Sequence, residues 1–157
     1  MRVPPDFHPF WSVAQHADPT IDAARFYEAF AFGDSEHMAD ELAHLVLAGT
    51  KRATAGLAWT YEVENKPPPK PGDLSIVTTW AGAPLCIIET TAVDAVPFED
   101  VTEDFAATEG EDGGTLEAWR RGHAAFFARE CARLGREPHP RMLVMCERFR
   151  VVYQPSQ

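Results

Sequence analysis

Apolar positions along the chain follow two different rhythms. Ile21, Ala24, Tyr27 and Ala31, with Phe30 beside them, fall on a 3.6-residue period. They predict a short helix over about 20–31, begun at Asp18-Pro19-Thr20 and ended by Gly33. Asp34-Ser35 caps a second predicted helix, whose stripe is Met38, Leu42, Leu45 and Val46 and whose stop is Gly49. Ahead of both, Met1–Ala17 is rich in Pro and His and reads as an extended arm packed through Phe7, Phe10 and Trp11. From Thr54 the rhythm changes. Thr54–Val63 carries Thr, Trp, Tyr and Val and reads as a strand. Pro67–Asp73 is a loop, because proline cannot donate to a ladder. Leu74–Trp80 and Leu85–Val93, joined by Ala81-Gly82-Ala83-Pro84, predict a hairpin. Phe98–Ala107 predicts a short helix ending near Glu109-Gly110. Thr115 caps a longer one with Leu116, Trp119, His123, Phe126, Phe127 and Leu134 on its buried side, closed by Gly135. Met142–Tyr153 is the last and longest strand, apolar at 143, 145, 149, 151 and 153. Helices, strands, helices, strand is an α+β order rather than a regular β-α-β alternation. A small mixed or antiparallel barrel with helices packed around it is the architecture this implies.

Size and composition narrow the picture. At 157 residues, 45% hydrophobic and 24% charged, the chain suits one globular domain. Folding at this length buries on the order of two-thirds of the unfolded surface, enough for a real core. No apolar run of about 18 residues exists, so no membrane span is expected. The N-terminus lacks the basic start and apolar run of a signal peptide, so a cytoplasmic location is expected. Cys86, Cys131 and Cys146 fit that compartment, and none forms a Cys-x-x-Cys pair of the zinc or redox type.

Charge is distributed unevenly. The net charge is −10, and Asp94–Glu117 contains nine acids with no Lys or Arg. The remaining acids and bases nearly cancel. Arg120–Arg150 then holds eight arginines. Acidity on this scale argues against tight non-specific binding to nucleic-acid phosphates but leaves room for a small basic cleft. As a bare pattern, both blocks read as solvated surface.

Several motifs are missing: a Gly-x-Gly-x-x-Gly after a strand, a phosphate loop and a Gly-x-Ser-x-Gly elbow. The six histidines are scattered, and the seven-residue spacing of His37 and His44 suits a shared surface more than a metal. Three features carry candidate chemistry. In Gly49-Thr50-Lys51-Arg52-Ala53-Thr54, Lys51 offers a cation, or a base if burial lowers its pKa, and Thr54 a hydroxyl. The plain alternative is a lysine that complements a helix C-terminus. In Phe105-Ala106-Ala107-Thr108-Glu109-Gly110-Glu111-Asp112, carboxylates cluster where a helix gives way to a glycine turn. They offer a general acid or base, oxygen ligands of the Mg or Mn type, or only a solvated turn. Trp119 and His123, one helical turn apart, read as core or as site.

Together these segments resemble a known family. Phe32-Gly33-Asp34, Ala39-Asp40-Glu41-Leu42 and Leu47–Thr54 look like the ASCH domain family. So do Pro71-Gly72-Asp73, Cys86–Thr91 and Pro97–Val101. Phe105–Glu111, Trp119-Arg120, His123 and Cys146–Phe149 are similar to its longer bacterial branch. The resemblance runs from about Phe32 to Tyr153. It implies a PUA-like α+β fold, a small β-barrel with flanking helices around a cleft, and an association with RNA. It also implies a division into an N-terminal arm and helix, 1–31, packing on an ASCH domain, 32–157. In hydrolase members a lysine, a threonine three residues on and a glutamate after the short helix form the working cluster. By motif these are Lys51, Thr54 and Glu109.

The expected function is a hydrolase, ribonuclease-like on single-stranded RNA, with Arg52, Trp59 and Tyr61 holding a base. The alternatives are an amidohydrolase of N-acetylcytidine-type nucleosides and a non-catalytic RNA-binding module. Smaller amidohydrolase members carry an arginine two residues beyond the threonine, where this chain has Gly56. A divalent metal is compatible with the acidic turn, with no ligand assigned. The expected partner is RNA or a modified nucleoside and not a membrane, and the sequence leaves the oligomeric state open.

Overall fold

The structure is a computed structural model that describes residues 2–156, so Met1 of the arm and Gln157 of the domain range lie outside the described residues. The chain divides into two compact units. One comprises Met1–Gly49, Lys70–Thr91 and Phe149–Gln157; the other comprises Thr50–Pro69 and Ala92–Arg148.

In the first unit the N-terminal segment is helical rather than extended. A 3-10 turn, Pro5–Phe7, leads into α1, His8–Ala17. Pro9 is tolerated because it sits in the first turn, where backbone N–H groups have no intrahelical partner. The expected packing holds: Trp11 and Ala14 are buried, with Phe7 and Phe10 against the same cluster. The helix expected over 20–31 does not form. The Asp18 carboxylate accepts from the Thr20 N–H at 3.0 Å and its hydroxyl at 2.7 Å, closing a local turn instead of capping a helix. Asp22 then caps a single 3-10 turn, Ala23–Arg25, before strand β1, Phe26–Phe30. β1 pairs in parallel with β3, Leu74–Thr78, through a bulge between Phe26 and Glu28. That bulge breaks the alternation a reader needs to recognise a strand.

α2, Glu36–Leu47, forms as its pattern predicts, with the Ser35 hydroxyl accepting from the Met38 N–H at 3.2 Å. Its Leu42, Ala43 and Val46 pack with Phe32, Val77, Cys86, Ile88 and Phe149. The predicted hairpin is present: β3 runs antiparallel to β4, Pro84–Pro97.

In the second unit the strand expected over 54–63 stops early. β2 is Ala53–Leu57, and Ala58–Val63 is the helix α3. The alternation of Trp59, Tyr61 and Val63 imitates a strand. Contacts with α5, Leu116–Leu134, hold α3 in place: Thr60 donates to Glu130 at 2.9 Å, and Arg136, just past the end of α5, lies 5.4 Å over Trp59 and pairs with Glu62. Between them come a 3-10 turn, Phe98–Asp100, and α4, Glu103–Glu109, which starts later than its pattern suggests. Thr115 caps α5 through the Ala118 N–H, and Gly135 closes it at φ +72°. Trp119, Phe127 and Cys131 of α5 pack with Phe105, Leu57 and Val144.

β5, Leu143–Tyr153, pairs antiparallel with β2, from Ala53 opposite Arg148 to Leu57 opposite Val144. Its buried residues are Val144, Cys146 and Phe149 rather than the predicted 143 and 145. The buried face changes phase where β5 passes from one unit's core to the other's.

The five strands lie in the order β1-β3-β4-β5-β2. The α+β class is as expected, but the barrel is not closed: the sheet is open, with β1 and β2 as its edges. All three cysteines are free and buried, and burial pushes the Cys86 and Cys146 thiols up to about 12. No helix among the described residues is long and apolar enough to cross a membrane.

Candidate functional site

The site lies in the second unit, where the segment entering β2 meets the end of α4. The Arg52 N–H donates to the Thr108 carbonyl at 2.9 Å. Gly110 ends α4 at φ +67°, and a Cβ built there would run into the Thr50 carbonyl oxygen. Only glycine permits both the left-handed turn and this approach. Arg148 of β5 holds α4 from its other turn, donating to Thr108 Oγ1 at 3.0 Å and Asp104 at 2.8 Å. Gly110→Ala is therefore expected to cost roughly 2–3 kcal/mol, combining left-handed strain with overpacking. Gly135→Ala carries the same strain in open space, so about 1 kcal/mol is expected there. Urea denaturation of the two variants side by side checks the difference.

This junction brings Lys51 and Glu109 together. Lys51 is 1% exposed and Glu109 is fully buried. The Lys51 ammonium donates to Glu109 Oε2 at 3.1 Å, Glu111 Oε2 at 2.6 Å and the Ala53 carbonyl at 2.7 Å. On its other oxygen, Glu109 accepts from Trp119 Nε1 at 2.9 Å and lies 3.3 Å from His123 Nε2. The His123 ring stacks on Trp119 with centroids 4.1 Å apart, and its Nδ1 lies 2.9 Å from the Trp119 carbonyl. Both ring nitrogens thus face oxygen acceptors, and only the doubly protonated imidazolium donates to both.

Electrostatics follow from this packing. Burial opposes the Lys51 charge, but the Glu109 and Glu111 carboxylates outweigh it and hold its pKa above the ordinary value. Lys51 is therefore a cation and not the depressed-pKa base that its sequence position also allowed. Burial likewise opposes ionisation of Glu109, yet the Lys51 charge and the surrounding donors keep its carboxyl well below the usual range. Glu111 goes the other way: burial and the neighbouring Glu109 carboxyl raise it to about 7. His123 loses charge stabilisation to burial and regains more from Glu109, so its pKa is raised.

Glu109, Glu111 and His123 place one potential ligand atom each within 4.8 Å of the others, a spacing a divalent ion can use. The chemistry of the set does not suit one. The Lys51 ammonium already lies against both carboxylates, and a metal requires an imidazole nitrogen that carries no proton. Asp112, the third carboxylate of the turn, is exposed.

The other expected site residues are not gathered into this cluster. Thr54 is half-buried on β2, opposite Glu147 of β5. Strand alternation turns its side chain to the face opposite the buried Ala53 and Leu57 and the partly buried Ala55. Gly56 shares that face, and Tyr61 lies over it, its hydroxyl 3.6 Å from where a Cβ would stand. Arg52 is exposed, and its side chain forms no ion pair among the described residues. Trp59 packs against the core under Arg136.

The acidic and arginine-rich blocks are not simply solvated. Arg141 pairs with Glu99 and Asp100, Arg148 with Asp104, Arg133 with Glu64 and Glu130, and Arg150 with Glu89. These four arginines of the run therefore neutralise acids of this chain.

Residues 28–153 match the family model of the ASCH domain. The chain belongs to the ASCH domain family. An ASCH domain from Lactobacillus crispatus JV V101, known from a crystal structure, is 38% identical over 94% of this chain and 92% of that one, with a TM-score of 0.82. A protein from Enterococcus faecalis V583 is 34% identical over 93% and 87% of the two chains, with a TM-score of 0.83. A hypothetical protein at 19% identity and a TM-score of 0.51, over 80% of this chain and 98% of that one, shares the fold alone. No protein of curated function matches. The fold is thus the PUA-like fold of ASCH domains. In this ASCH domain, Glu111, Trp119 and His123 complete the Lys51–Glu109 pair. The sequence offers Glu111 as an acid or base, an ion ligand or a solvated residue, and His123 as core or site, and joins neither of them to Lys51. The sequence signals for them are the carboxylate cluster at the Gly110 turn and the helical spacing of Trp119 and His123.

Proposed function

We propose that this ASCH domain is a hydrolase that acts on single-stranded RNA. The observation that supports this is the buried cluster of one ammonium, two carboxylates and one imidazole, which combines fixed charge with a carboxyl that titrates near neutrality. Lys51 stabilises negative charge that develops on the phosphorane. A carboxyl of the pair handles the proton. Thr54 and Tyr61 contact the nucleotide, and Arg52 meets a phosphate.

The test is incubation with single-stranded RNA, with and without divalent ions, beside Thr54→Val and Lys51→Ala checked for folding by circular dichroism. Cleavage by the wild type and at least a 100-fold loss in Lys51→Ala are expected. Equal cleavage by both would mark a contaminant and remove the reading.

One observation favours a second reading, hydrolysis of an N-acylated pyrimidine nucleoside. With a net charge of −10 and Arg133, Arg141 and Arg148 paired with acids of the same chain, the chain presents little positive surface to a polyphosphate backbone. Release of cytidine from N-acetylcytidine, followed by chromatography, separates the two. Salt-dependent RNA binding without turnover would instead identify a binding module.

A further inference from the structure

The two carboxylates of the site are not equivalent. Glu109 is enclosed: Lys51 donates to one oxygen, while Trp119 and His123 face the other. Three donors on a fully buried carboxylate hold it as an anion and leave it no room to meet a reacting group. Glu111 sits on the rim. Its side chain is 15% exposed, it follows the left-handed Gly110 turn, and its one described donor is Lys51. We infer that Glu111 is the proton-carrying residue of this site, and that Glu109, Trp119 and His123 are positioning residues that fix Lys51 beside it.

The inference rests on the hydrolase reading for its reaction. Glu111, as carboxylate, takes a proton from the attacking water as the water oxygen bonds to phosphorus. It delivers that proton to the leaving ribose oxygen as the phosphorus–oxygen bond breaks. The carboxyl ends as it began, and no further reactant is needed. The groups facing this carboxyl are Lys51 ahead of β2, Glu109 on α4 and His123 on α5. Cys146 on β5, a neutral thiol, lies beyond Glu109. Lys51 lowers the affinity of Glu111 for its proton, while Glu109 and burial raise it by more.

The experiment has two arms. In the first, carbon-13 NMR follows the carboxyl groups of protein labelled at glutamate from pH 4 to 9. One glutamate is expected to titrate near pH 7. That signal should vanish in Glu111→Gln and move to lower pH in Glu109→Gln. Absence of any glutamate titrating above pH 6, or persistence of the signal in Glu111→Gln, overturns the inference. In the second arm, RNA cleavage by Glu111→Gln is expected to fall at least 100-fold in kcat with KM little changed. Glu111→Asp should recover part of the loss with a displaced pH profile. Retention of kcat within about threefold in Glu111→Gln also overturns the inference. Titration of Glu111 near pH 7 in a protein that cleaves no RNA removes the hydrolase reading and leaves the assignment of the titrating group intact.

Discussion

Replacing Lys51 by methionine is expected to destabilise the protein by about 3–5 kcal/mol at neutral pH. The stem of the side chain is conserved, so little packing is lost. What is lost is the countercharge for Glu109, fully buried, and for Glu111. The penalty arises from the carboxylates left behind, and that gives it a pH signature. Glu109 has a lowered pKa in the folded chain, so its contribution is present above its ordinary range near 4.5 and is lost as pH falls. Lys51→Met removes that contribution, so the gap between variant and wild type should be widest near pH 7 and should narrow below pH 5. Adding Glu109→Gln to Lys51→Met should recover part of the loss, because the pair then vanishes as a unit. Urea unfolding at about pH 3.5 and pH 7 measures both effects. A gap independent of pH would show that Lys51 acts by packing alone.

Trp119→Ala should be equally damaging, at about 3–5 kcal/mol. The indole is 2% exposed and lies against Phe98, Phe105 and His123. Its removal opens a cavity in the second unit's core and takes the N–H from Glu109. Trp119→Phe separates the two effects. It retains most of the ring contacts and loses the hydrogen bond, so roughly 1–2 kcal/mol is expected. If phenylalanine costs as much as alanine, the hydrogen bond and not the packing carries the energy.

These two side chains also show what the sequence makes legible. α2 and α5 are readable because Ser35, Thr115, Gly49 and Gly135 mark ends that local chemistry decides. β1 is not, because Asp18 and Asp22 spend the same cap chemistry on turns and a bulge removes the strand's alternation. α3 reads as a strand because three alternating apolar residues fit either period. The pairing of Lys51 with Glu109 follows from the family resemblance, since no local rule joins residues 58 positions apart. Glu111 is harder still. A buried carboxylate and a solvated one look alike in composition, and what distinguishes them here is the close approach of Gly110 to Thr50.

The three cysteines have a practical consequence. Each lies inside a core, and two are held far from ionisation at neutral pH. Maleimide-type reagents react by the attack of a thiolate on them, so these buried thiols offer them almost nothing. A single cysteine introduced at an exposed position such as Glu137 then becomes a selective handle for a fluorophore or spin label, with no native residue deleted first.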